Sequence, residues 1–152
     1  MKQKTAIKNL LQKSYKAALL IACSIGFISC SNAQMKEKHQ WTDRLILVLA
    51  ETDQDNRLEQ QVELLLANKV ELHDRKLVVY QIVPDRYKNN KQKDWRRGST
   101  LYENYSSGAP FEVILIGLDG GEKLRKAEVT DPATFFDLID QMPMRRNELR
   151  NR

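Results

Sequence analysis

The stretch AETDQD, residues 50–55, holds side chains whose types and spacing could do chemistry: Glu51, Thr52, Asp53 and Asp55. Paired carboxylates can divide acid and base roles between them, or hold a hard cation through oxygen. They also stand where an apolar run gives way to a helical period, so they can equally cap a helix and meet the positive end of its dipole. Capping needs no further partner. A metal needs more oxygen ligands than the neighbouring sequence supplies, so no metal and no cofactor is expected. His39 and His73 are isolated, with no nucleophile at a recognisable spacing, and both read as surface histidines. Thiolate chemistry is excluded for residues 34–152. The two cysteines, Cys23 and Cys30, lie upstream, and no other side chain replaces a thiolate in disulfide exchange.

Two further clusters stand out. Arg86, Lys88, Lys91, Lys93, Arg96 and Arg97 interleave with Tyr87 and Trp95. Charge with aromatic stacking can bind single-stranded nucleic acid. Behind an export leader an anionic lipid or glycan surface fits better, and a solvated loop explains the pattern as well. The run Met142-Pro143-Met144-Arg145-Arg146 is the most distinctive motif. Met142 is expected to pack the last turn of the preceding helix. Arg145 and Arg146 either satisfy carbonyls at that helix end or dock a partner.

The elements that must position these residues follow from period and punctuation. RLILVLAE (44–51) is a continuous apolar run, as in a strand buried on both faces. Residues 52–69 switch to helical spacing through Leu58, Val62, Leu65 and Leu66, with Thr52 and Asp55 as an N-cap pair, and a continuation through Leu72 is the longer reading of the pattern. KLVVYQIV (76–83) is a second buried strand, stopped by Pro84. Residues 85–98 read as a charged connector and 99–107 as a short helix. FEVILIG (111–117) and EKLRKAE (122–128) flank Asp119-Gly120-Gly121, a strong hairpin turn. Residues 131–142 form a helix with Asp131 as N-cap and Pro132 at its first position, ended by Pro143.

A length of 152 residues suggests one domain, and the first 33 differ from the rest. They hold five lysines, no acid, and the apolar run AALLIACSIGFIS over 17–29. A basic head, a short apolar middle and small residues behind it are the layout of a secretory signal peptide. Cleavage after Ala33 is the preferred reading. Cleavage before a lipidated Cys30 is the alternative, and a lipobox at Cys23 would cut the apolar run in half. The chain has 25 Lys+Arg and 20 Asp+Glu, and those five lysines account for the excess. Residues 34–152 are formally neutral, so no nucleic-acid partner is expected. The expected organisation is a leader over 1–33, a polar tether over 34–43, a domain over 44–142 and a basic tail over 143–152.

The order β-α-β-α-β-β-α resembles the thioredoxin-like α/β layout; the alternative is a flavodoxin-like doubly wound sheet, against which the hairpin counts. In the thioredoxin resemblance, Asp53 and Asn56 fall where the redox cysteines would be, so dithiol activity is not implied. Ala109-Pro110 falls on the proline site. The resemblance implies a cis bond there, facing a cleft of Glu51, Thr52, Asp53, Asp55, Ala109 and Pro110. A closer resemblance rests on RLILVLAETDQDNRLEQQ, LIGLDGGEKLR and LIDQMPMRRNELR: residues 41–150 are similar to a bacterial domain-of-unknown-function family, number 4174. It implies a small exported thioredoxin-like domain and no activity. Three readings follow: a non-catalytic binding module of the envelope or periplasm with a protein or peptide partner, a carboxylate enzyme using Asp53 and Asp55, and a peripheral binder of anionic envelope surfaces.

Overall fold

The computed structural model describes Met35 and residues 38–151, and the expected leader with Cys23, Cys30 and Ala33 lies outside them. Strand β1 is Arg44–Ala50. Helices α1 (Asn56–Ala67) and α2 (Lys69–Asp74) carry the chain back to strand β2 (Leu77–Val83). Strands β3 (Arg86–Asn89) and β4 (Arg96–Arg97) follow, then helix α3 (Ser99–Tyr105). Strands β5 (Phe111–Ile116) and β6 (Glu122–Lys126) precede helices α4 (Pro132–Asp140) and α5 (Pro143–Arg150).

The fold is α/β, with a mixed six-stranded sheet in the order β4-β3-β2-β1-β5-β6. Strands β1 and β2 are parallel, as two strands joined by a helical crossover should be. Strand β5 runs antiparallel to β1, and β6 antiparallel to β5. That direction does not fit the all-parallel sheet of the flavodoxin-like alternative.

Strand β1 is wholly buried because the sheet is covered on both faces. Successive side chains point to opposite sides. Ile46, Val48 and Ala50 join Val79, Val113 and Leu115 against Leu58, Val62 and Leu65 of α1 and Phe135, Phe136 and Ile139 of α4. Leu45, Leu47 and Leu49 join Tyr80, Ile82 and Ile114 against Leu101 of α3 and Met35. A continuous apolar strand thus feeds two cores at once.

Several expectations change. The connector over 85–98 contains β3 and β4, an antiparallel hairpin added to the β2 edge. Its charges survive there because residues alternate: Tyr87 packs one core, while Arg86 and Lys88 lie over the Trp95 ring at 5.4 and 4.8 Å. The tether is not merely polar chain. His39 is 5 % exposed, its Nδ1 2.8 Å from an Asp43 carboxylate oxygen and its Nε2 2.9 Å from the Tyr80 hydroxyl, which corrects its reading as a surface histidine. His73 is exposed as expected. Much of the basic tail is α5.

Candidate functional site

Strand β1 leaves the sheet at Ala50, and residues 51–54 form an exposed turn before α1. The Glu51 N–H donates to the Pro110 carbonyl at 3.3 Å, so the ends of β1 and of the loop before β5 are tied together. Glu51, Thr52 and Asp53 are exposed, Ala109 is half-buried and Pro110 is exposed. The backbone therefore brings Glu51 and Pro110 together.

Asp55 is the N-cap of α1, and its carboxylate accepts the Arg57 N–H at 2.8 Å. Arg57 also reaches back with Nε at 3.1 Å and a terminal nitrogen at 2.7 Å. The Arg57 side-chain hydrogen bond outweighs burial and holds the Asp55 carboxyl below its usual range. Asp53 pairs with Arg86 at 2.9 Å, so the β3 hairpin is fastened to this turn. The Arg57 guanidinium lies 5.2 Å from the centre of the Phe111 ring, the residue after Pro110. Thr52 contributes its backbone, accepting the Asp55 N–H at 3.4 Å.

The Ala109–Pro110 bond is trans, since no peptide bond among the described residues is cis; the cis expectation is corrected. The chain turns at Gly108 instead, which adopts a φ of 94°. A glycine takes that conformation without a Cβ clash. The turn is held from beneath by Glu112, a carboxylate with 1 % of its surface exposed. It accepts the Ser107 N–H at 2.7 Å and pairs with Arg125, which also donates to the Tyr105 carbonyl at 2.9 Å. Burial pushes Glu112 up, but the Ser107 and Arg125 hydrogen bonds prevail and its carboxyl stays below the ordinary range.

Arg145 and Arg146 part company. Arg145 is 1 % exposed, donating to the Asp140 carboxylate at 3.0 Å, to the Asp74 carbonyl at 2.8 Å and to the Asp74 carboxylate. It fastens α5 to α2 and α4 and is not available to dock a partner. The carbonyl it satisfies ends α2 rather than α4. Arg146 is exposed. Met142 packs against the core at the end of α4, as expected.

Sequence reasoning missed two arrangements: the His39–Asp43–Tyr80 group, and Arg44, 1 % exposed, which donates to the Arg75 carbonyl at 2.9 Å and to Glu148 at 3.3 Å. The first joins residues 41 apart and the second residues 104 apart, so no local spacing signals either. Arg44 opening an apolar strand was a weak sign that its charge must be answered inside. Among the described residues, no three His, Cys, Asp or Glu side chains converge as a metal group, and no helix is long and apolar enough to cross a membrane.

A family model, a domain of unknown function (DUF4174), matches residues 36–148. No curated protein and no solved structure matches the chain.

Proposed function

From the premise that the chain belongs to the DUF4174 family, we propose that it is a thioredoxin-like, non-catalytic binding module exported to the bacterial envelope. It meets an extended protein segment with the turn 51–54 and the loop 108–110. The observation that carries this reading is the Glu51 to Pro110 hydrogen bond, which sets two surface stretches distant in the sequence side by side. The strand order β2-β1-β5-β6, with one parallel and two antiparallel neighbours, supports the thioredoxin-like comparison.

The carboxylates favour binding over acid–base chemistry. A general acid near neutral pH needs a raised pKa, and Asp55 is held low with both oxygens engaged by Arg57. Asp53 is engaged by Arg86. The basic hairpin is partly spent in the same way, because Arg86 pairs with Asp53 and stacks with Lys88 on Trp95. Since the proline bond is trans, a partner meets the surface of residues 108–110 rather than the backbone edge that a cis proline presents. Export is supported by the basic, acid-free head and the apolar run over 17–29.

An array of unfolded peptides drawn from envelope proteins tests the binding reading. The full chain should retain a defined subset, and Thr52→Trp, which places a ring over the exposed turn, should weaken retention at least tenfold. Retention unchanged by Thr52→Trp would sink it.

A further inference from the structure

At the opposite end of β1 and β2 from Glu51 and Pro110, where both strands begin, lies a cavity of about 250 Å³. Lys69 and His73 reach it from α2, one helical turn apart and so on one face. Lys76 enters from the turn before β2, where its φ of 52° is left-handed and unusual for a residue with a side chain. Asn90 and Lys91 close it from the turn after β3. That turn is rigidly set: the Asn90 N–H donates to the Val79 carbonyl at 3.0 Å, the Asn90 side-chain oxygen accepts the Val79 N–H at 3.3 Å, and the Lys91 N–H donates to the Asn89 side chain at 3.0 Å. The Asn90 amide nitrogen is left as a donor.

The charges here are not balanced. Lys69 and Lys91 form no ion pair among the described residues, and Lys76 has only a long contact to Glu148 at 3.7 Å. Asp43, the acid lining the cavity, already meets His39 at 2.8 Å. Three lysines and one engaged aspartate thus line the cavity, with His73 beside them and Glu148 reaching Lys76 alone. Several cations elsewhere in the fold are answered: Arg57, Arg75, Arg86, Arg125, Arg145 and Lys123 each pair with a carboxylate within hydrogen-bonding distance. Like charges gathered without counter-charge repel, and an anion of high charge removes that repulsion.

We propose that this cavity binds the phosphate group of an organic phosphate. The donors are ammonium points on flexible stems with an amide N–H₂ beside them. They suit a tetrahedral oxyanion approached from several sides, where a planar carboxylate would be better served by an arginine fork. The space exceeds that of one phosphate, leaving room for the group attached to it. The site is independent of the peptide-binding surface.

Isothermal titration of the full chain with inorganic pyrophosphate at low ionic strength tests this. Saturable binding is expected, at least tenfold weaker in Lys69→Gln and in Lys91→Gln, and unchanged in Lys126→Gln on the far edge strand. Cosedimentation with phosphatidylcholine vesicles containing phosphatidic acid separates the two sources of the group. Pelleting that Lys69→Gln and Lys91→Gln abolish assigns a lipid headgroup, and pyrophosphate binding without such pelleting assigns a soluble phosphate. No saturable binding of pyrophosphate, or binding indifferent to both substitutions, overturns the proposal.

Discussion

An arginine with 1 % of its surface exposed, Arg145, keeps its charge inside because Asp74, Asp140 and, at 3.6 Å, Glu148 answer it. Replacing it with alanine opens a hole beside both aspartates, although Asp140 keeps its pair with Arg75. Removing one partner of a buried pair costs about 3–5 kcal/mol, and the lower end applies here because the two aspartates still reach water. Arg145→Ala should therefore lower the urea midpoint by an amount equivalent to about 3 kcal/mol, while the exposed Arg146→Ala should stay within about 0.5 kcal/mol. Equal losses in the two variants would contradict the division of roles. The motif was conspicuous in the sequence, but adjacency hid this division. Residues next to each other on a helix point about 100° apart, so one faces inward while its neighbour faces out. Asp55 was legible in part: the expected cap paired Thr52 with Asp55, whereas Asp55 alone is the N-cap, completed by the Arg57 N–H, and Thr52 lies outside the helix.

At the scale of elements, strands β1, β2 and β5 and helix α4 were readable because each carries its own signal, a continuous apolar run or an N-cap aspartate followed by proline. The hairpin of β3 and β4 was not. Its apolar anchors, Tyr87 and Trp95, lie eight positions apart among charges, and only the docked hairpin shows that they serve opposite faces of the sheet. Gly98 is the position where this hairpin admits no side chain: a Cβ there would stand 2.4 Å from the Tyr87 ring. Gly98→Ala must push that ring out of the second core, at a cost of about 1–3 kcal/mol, and circular dichroism melts should record a lower midpoint. A melt equal to the native chain would mean that the hairpin is not packed as described. Asp131→Ala, which removes the side-chain acceptor of the Ala133 N–H, should cost about 1 kcal/mol in the same assay.

For the whole molecule, Asp55, Glu112 and Asp140 all have carboxyl groups held below their ordinary values. For Asp140 burial works the other way, and hydrogen bonds from Arg75 and Arg145 overcome it. A depressed folded-state pKa adds stability that is complete above the unfolded value, about 4, and is lost as pH falls through the lower folded values. The urea midpoint should be level from pH 7 to pH 5 and fall below about pH 4, and Glu112→Gln should flatten that fall. Mass spectrometry of the chain expressed in a bacterium checks export: the expected product begins at Gln34, or at Cys30 with acyl chains, whereas soluble protein retaining Met1 would contradict it.

A partner bound as proposed lies across residues 51–54 and 108–110. A photo-crosslinking residue placed in the full chain at Thr52, at Ala109 and, as a remote control, at Val70, which is 80 % exposed on α2, reads it directly in living cells. Positions 52 and 109 should give one shared adduct, and position 70 none of that mass. The same adduct at all three positions, or adducts from position 70 alone, would contradict it.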